Sequence, residues 1–296
     1  TSLPSAMRWR RVRERLIEAL IKISGFSSIA IVVFIFVFLL KEGLALFSTV
    51  SLGGFLGGQR WYPISDPPRF GILPLLCGSA LVTLGATGLS VPLGVASALF
   101  ISEIARGWMR EALKTGIELF AAIPSVVLGF IGITVLAPLI RQTFHLSTGL
   151  TALTGSITLA FMAMPTIVSI TEDALTAIPR GYREAALALG ATRWQMMVRV
   201  LLPAASSGIV AAVMLGIGRV IGETMAVMMV TGNAAVIPHT LLQPVRTLTA
   251  TIAAEMGETV RASDHYVALF AIGIVLFVVT FVINFIADRF LHRESR

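Results

Sequence analysis

Six stretches of the chain, near residues 23–40, 73–101, 117–140, 152–171, 204–231 and 266–287, are apolar almost throughout, with polar segments between them. A hydrocarbon core about 30 Å thick is crossed by roughly 20 helical residues. The pattern therefore predicts an all-α integral membrane protein with six transmembrane helices. Pro92 lies inside the second stretch and Pro165 inside the fourth. A proline within a helix removes a hydrogen bond and crowds the turn before it, so both spans are expected to be kinked or divided.

Charge supplies the orientation, because lysine and arginine near span ends are retained in the cytoplasm. Sixteen of the 23 basic residues fall on one side. They lie in the N-terminal segment from Arg8 to Lys22, in the loop with Arg106, Arg110 and Lys114, in the loop with Arg180, Arg183, Arg193 and Arg199, and in the tail. The opposite side holds Lys41, Arg60, Arg69, Arg141, Arg246 and Arg261, although two of its loops are long. Both termini are thus expected inside, and the apolar helix after the basic segment RWRRVRER (8–15) reads as a retained membrane anchor.

Composition agrees: 56% of residues are apolar and 13% charged, against about 25% charged in soluble domains. The net charge of +7 does not point to nucleic acid, since the charges sit in short clusters between apolar runs and not on one polar face. A lone Cys77 excludes an internal disulfide framework and a cysteine zinc site. The four histidines are scattered without metal-ligand spacing, so no metal site is expected. Met162, Met164, Met225, Met228 and Met229 read as helix packing, which argues against copper transport. In the first external loop, Trp61 and Tyr62 read as interfacial anchors. The segment 232–265, with Glu255, Glu258, Asp264, His239 and His265, reads as a solvated loop able to meet an external partner.

One cytoplasmic segment, PRGYREAALALGATRWQMMVRVLLP (179–203), is too polar to span and reads as helix, turn, helix. Pro179 suits a helix start, Gly190 a left-handed helix end, and Thr192 a cap for the second helix. Helical spacing gathers Ala185, Ala186 and Leu189 into a small apolar face beside Arg183 and Glu184. Periodicity alone fits an ordinary amphipathic surface helix. The residue order says more. Glu184-Ala185-Ala186, three residues, Gly190, nine residues and Val200-Leu201-Leu202-Pro203 resemble the E-A-A loop of ABC importer permeases, with valine where isoleucine is usual. The resemblance implies a type I importer permease architecture and a coupling helix at Glu184, Ala185, Ala186 and Gly190 that sits in a groove of a cytoplasmic ATPase. No GxxxxGK[ST] phosphate loop occurs, so the ATPase is expected on a separate chain.

The fifth apolar stretch contains GIGRVIGETMAVMMVTGN (216–233), with Arg219 and Glu223 four residues apart and expected on one helical face near mid-bilayer. An ionisable residue at that depth marks a transport path or, less often, a buried pair serving packing. The planar fork of Arg219 suits a tetrahedral oxyanion. Glu223, held by Arg219 while the path is empty, would compete with the anion and keep its binding weak. Thr224 offers a hydroxyl at the same level, and Gly216, Gly218 and Gly222 read as close-packing positions.

This stretch, together with ELFAAIPSVVLGF (118–130) and TLTATIAAEMGE (247–258), resembles the PstC family of phosphate-transporter permeases over most of residues 72–290. That resemblance implies a multi-pass protein of the bacterial inner membrane with Arg219 and Glu223 in the substrate pathway, where Thr224 is expected as well from its hydroxyl at the same level. It implies four partners besides lipid: a homologous PstA-like permease, a PstB-like ATPase, an external PstS-like binding protein, and phosphate. ATP and magnesium are expected to act on the ATPase, with no cofactor and no catalytic residue in this chain. The expected division is a cytoplasmic segment 1–22, a first span with its external loop at 23–71, a transporter domain at 72–290 with its coupling loop at 172–203, and a cytoplasmic tail at 291–296. Alternatives are a permease for sulfate or molybdate, a passive anion channel lined by Arg219, and a membrane scaffold that senses phosphate.

Overall fold

The computed structural model describes residues 5–294, with side-chain surroundings for 13–286 and 289. Of the expected basic clusters, the side chains of residues 8–12 and 291–296 lie outside these. The first helix, α1 (Ser5–Gly43), contains the expected span 23–40 and continues the basic segment without a break. Its apolar residues from Ile29 to Phe38 are mostly exposed. It touches the rest of the chain through the last helix, where Phe36 stacks on Phe277 at 4.5 Å and Phe38 meets Phe270 edge-on at 5.5 Å. After a 3-10 turn come α2 (Leu52–Gly57) and a two-stranded hairpin of β1 (Trp61–Tyr62) and β2 (Arg69–Phe70), with Trp61 opposite Phe70.

The centre is built from α3 (Leu73–Leu99), extended by a π-helical turn at Phe100–Ile104, and α7 (Ala152–Thr176). Both helices keep their proline inside an unbroken span, so neither is divided. Pro165 is buried among neighbours, the setting in which lost backbone hydrogen bonds are tolerated in membrane helices.

Between them lie α4 (Trp108–Ala121), α5 (Ser125–Ile131), a π turn at Gly132–Leu136 and α6 (Ala137–Thr143). The span expected at 117–140 is thereby corrected: it runs over 125–143. Pro124, extended at φ −59° and ψ 140°, parts it from α4. A proline disfavours helix in the residue before it, and apolar periodicity does not register that.

The cytoplasmic loop forms α8 (Arg180–Ala188) and α9 (Arg193–Met196), followed by a π turn at Met197–Leu201 and α10 (Leu202–Ala204). The axis then bends by 73° into α11 (Ser206–Gly222). The chain continues as α12 (Met225–Val230), α13 (Leu248–Glu255) and α14 (Asp264–Glu294). The single span expected at 204–231 is therefore cut at Glu223. Among the described residues, five helical runs are long and apolar enough to cross a bilayer, and six if the bent run 193–222 counts as one.

Small residues let the central helices meet. A Cβ at Gly94 of α3 would lie 2.7 Å from Ile167 Cγ2, and one at Gly216 of α11 would lie 2.7 Å from Ile167 Cγ1. Ile167 of α7 is thus held between two bare backbones, as small-residue packing in membranes requires. Around it an apolar core joins Val82, Leu159, Met162, Val220 and Ala226. A second core lies toward the expected external end, around Phe55, Trp61, Leu75 and Leu269. A third lies at the cytoplasmic end, around Leu99, Leu175, Ala186, Met196 and Leu201.

Segment 232–265 is not the free loop expected of it. Leu248, Thr249, Ala250 and Thr251 of α13 are buried, and Thr249 Oγ1 donates to the Glu223 carbonyl at 2.9 Å. Backbone that enters an apolar layer must satisfy its own polar groups. Here α13 does so, with Thr247 capping its first turn.

Candidate functional site

Helix α8 starts after Pro179 and ends before Gly190, whose φ of +82° is a conformation other residues resist. Thr192 Oγ1 accepts from the Gln195 amide at 3.2 Å, and Gln195 Oε1 accepts from the Thr192 amide at 2.9 Å. This reciprocal cap fixes the turn between α8 and α9. The expected apolar face is corrected in one respect. Ala186 is buried in the cytoplasmic core, whereas Glu184 and Ala185 are exposed and Leu189 is 90% exposed. Residues 185 and 189 share a face at i, i+4, while 186 points about 100° around the helix. Tyr182, Leu187 and Trp194 are also exposed, so the outer surface of the loop is apolar as well as charged.

Helical spacing places Arg183 beside this face, and nothing in the sequence marks Glu103 as its partner. The Arg183 guanidinium straddles the Glu103 carboxylate, with Nε at 3.1 and 3.2 Å from its two oxygens and Nη2 at 2.7 Å from Oε1. Nη1 donates to the Ile178 carbonyl and Nη2 also to that of Leu175, each at 2.9 Å. A second network joins α4 to α7. Buried Glu172 accepts from Arg110 at 2.6 Å and from Thr176 at 3.1 Å, with Lys114 Nζ 2.6 Å away.

At the other expected site, α11 ends at Gly222 and Glu223 adopts φ −71° and ψ 132°. The extended residue turns its side chain off the helical face. Glu223 Oε1 accepts from the Ala226 amide at 3.1 Å, capping α12, and does not meet Arg219. Among the described residues no ion pair joins the two. This overturns the expected Arg219–Glu223 pair: i, i+4 proximity needs a continuous helix, and the helix stops between them. Arg219 is exposed on a stripe with Leu215, Gly218 and Gly222. Of the three glycines, Gly216 alone packs closely, since a Cβ at Gly218 or Gly222 would meet nothing within 4 Å. Thr224 Oγ1 donates to the Gly222 carbonyl at 3.2 Å, so Thr224 lies at the break.

Toward the expected external end, Glu255 gathers three donors. Trp61 Nε1 lies at 3.0 Å and His265 Nε2 at 2.8 Å, and Arg246 Nη1 binds Oε1 at 2.5 Å. Trp61 is therefore no interfacial anchor but a buried residue, 2% exposed, its indole N–H satisfied by a carboxylate. The group borders a cavity of about 870 Å³ that also reaches Asn233 and Glu258.

Sequence comparison identifies what bears these features. The family of binding-protein-dependent transport system inner membrane components matches residues 90–296. The chain belongs to this family. The permease is 43% identical over 275 residues to a probable ABC transporter permease, YqgH of Bacillus subtilis, covering 91% of this chain and 87% of the relative. It is 38% identical over 259 residues to the phosphate transport system permease PstC of Mesorhizobium japonicum, covering 81% and 78%. In structure it resembles a bacterial alginate ABC transporter solved with a pentasaccharide-bound periplasmic protein, at a TM-score of 0.67 and 17% identity over 97% of this chain and 98% of that one. It also resembles the inward-facing MetNI methionine transporter, at a TM-score of 0.57 and 23% identity over 76% and 95%. The permease thus has the type I ABC importer fold and is a multi-pass inner-membrane protein. Permeases of this kind work with a second permease, an ATPase and a substrate-binding protein.

Proposed function

We propose that this permease is the PstC-type subunit of an ATP-driven phosphate importer. It would form the path with a PstA-like permease, receive phosphate from a PstS-like binding protein, and dock a PstB-like ATPase. The observation that carries the reading is Arg219: an arginine on the exposed stripe of a broken span, with no carboxylate bound to it among the described residues. A guanidinium left free in a water-excluded path attracts an anion strongly, and its two parallel donors match tetrahedral oxyanions. Relatives named as phosphate transport permeases favour phosphate among these.

Glu223 then acts differently from the arrangement read in the sequence. Its carboxylate stands at the break as a negative charge beside the path, where it disfavours a tightly held anion, while Thr224 lies at the same break. On the cytoplasmic side, Glu184, Ala185 and Leu189 would face the ATPase, with Ala186 holding α8 to the core and Gly190 ending it. The exposed Tyr182, Leu189 and Trp194 favour this docking over a passive channel, which has no use for such a surface. In this reading ATP and magnesium act on the ATPase, and residues 72–290 form the transporter unit.

Uptake by vesicles containing the assembled transporter, with labelled phosphate and competing sulfate or molybdate, tests the cargo. Phosphate uptake that excess sulfate and molybdate leave intact is the expected result. Uptake of sulfate or molybdate in preference would assign the cargo to that oxyanion, and uptake without ATP would replace the importer by a channel.

A further inference from the structure

Ala186 attaches α8 to Met196, Met197 and Leu201, the chain that leads into α11. Its only described polar attachment to α3 and α7 is Arg183. Glu103 lies on the π turn that ends α3, and Leu175 and Ile178 offer carbonyls at the end of α7. The last carbonyls of a helix lack partners within it, so one guanidinium closes the ends of two central helices at once. Beside this contact the structure is not packed solid: a cavity of about 290 Å³ is lined by Ser102, Glu103, Arg110, Arg180, Arg183 and Glu184. On that edge the polar contact between α8 and α3 is carried by these side chains, beside the apolar core that Ala186 shares with Leu99 and Leu175. The pair is also shielded, with 21% of the Arg183 side chain and 9% of Glu103 exposed.

We propose that Arg183 and Glu103 are positioning residues that transmit movement of α8 to α3 and α7, making the pair the mechanical link between ATPase and path. This rests on the reading of α8 as the docking helix. A bidentate fork fixes angle as well as distance, so a tilt of α8 is delivered to α3 as a tilt. A lysine at 183 would hold one point and let the helices pivot. The pair is shielded whereas neighbouring Glu184 is exposed, so breaking the pair is expected to leave the ATPase contact in place.

The test uses the assembled transporter in vesicles and reads labelled phosphate moved per ATP hydrolysed for Glu103→Gln, Glu103→Ala, Arg183→Ala and the double alanine variant. The ATPase is expected to co-purify and hydrolyse ATP in each, while phosphate moved per ATP falls about tenfold in the single variants. The double variant is expected to be no worse than either single one, because both residues serve one contact. An unchanged ratio in the single variants overturns the proposal, as does a double variant whose loss is the product of the two. If a single variant fails to assemble, the double variant, which leaves no buried charge unpaired, is expected to assemble and show the lowered ratio; failure of the double as well assigns the pair to folding and overturns the proposal. The parent complex separates this from the underlying reading, since absence of phosphate uptake there, or of ATPase co-purification, refutes the importer reading itself.

Discussion

Arg219 and Glu223 stand on opposite sides of a helix end: Arg219 belongs to the last turn of α11, and Glu223 caps the first turn of α12. Four residues of sequence separation therefore do not make them an ion pair. The positive group faces outward on its stripe, and the negative group is occupied by the backbone. Glu223→Gln separates the two roles of Glu223, because the amide oxygen can still accept from Ala226 while the charge is gone. The variant is expected to assemble normally and to bind phosphate in the path more tightly, with slower turnover at saturating binding protein. Glu223→Ala should in addition lose about 1 kcal/mol of cap stability, read as a lower melting temperature of the complex. Unaltered transport kinetics in Glu223→Gln would confine Glu223 to capping.

Glu184→Lys reverses a charge on the exposed face of α8 without touching buried Ala186 or the Gly190 turn. Loss of ATPase co-purification is expected, with the permease still folded and inserted. Retained ATPase together with normal uptake would remove Glu184 from the docking surface.

Gly216→Ala tests the packing around Ile167. Its new Cβ would lie 2.7 Å from Ile167 Cγ1 and 2.8 Å from Cδ1, and overpacking of this kind costs about 1–3 kcal/mol. Detergent-solubilised complex is expected to melt at lower temperature, and Ile167→Ala, which removes both clashing atoms, is expected to recover part of the loss when combined with it. An additive double variant would show that the two residues are not in contact.

Glu255→Ala leaves Trp61, Arg246 and His265 without their common acceptor. Unpaired buried donors cost about 1–3 kcal/mol each in stability. The hairpin and α13 are expected to lose protection from amide exchange ahead of α3 and α7, which share none of these contacts. Uniform loss across the molecule would argue against a local role.

What could be read from the sequence and what could not differ by the range of the interaction. Gly190 and Thr192 were legible because a turn and a cap are set by neighbours within four residues, whereas which side of α8 is buried depends on the core it meets. The spans were legible because lipid demands apolar length. The breaks at Pro124 and Glu223 were hidden, since apolar residues continue on both sides and hydropathy does not distinguish one long helix from two short ones. The acceptor roles of Glu103, Glu172 and Glu255 were hidden for another reason. Their partners lie 80, 62 and 194 residues away for Arg183, Arg110 and Trp61, respectively, and only the packed helices bring them together. The same holds for Trp61: an indole bound to a distant carboxylate looks, in sequence, like one at a membrane surface.

The central claim, that Arg219 receives phosphate in an ATP-driven path, is tested most directly by ATP-dependent phosphate uptake in vesicles carrying the complex with Arg219→Gln. Assembly and ATPase docking are expected to match the parent while uptake falls to the level seen without ATP. Uptake at the parental rate by that variant would contradict the account.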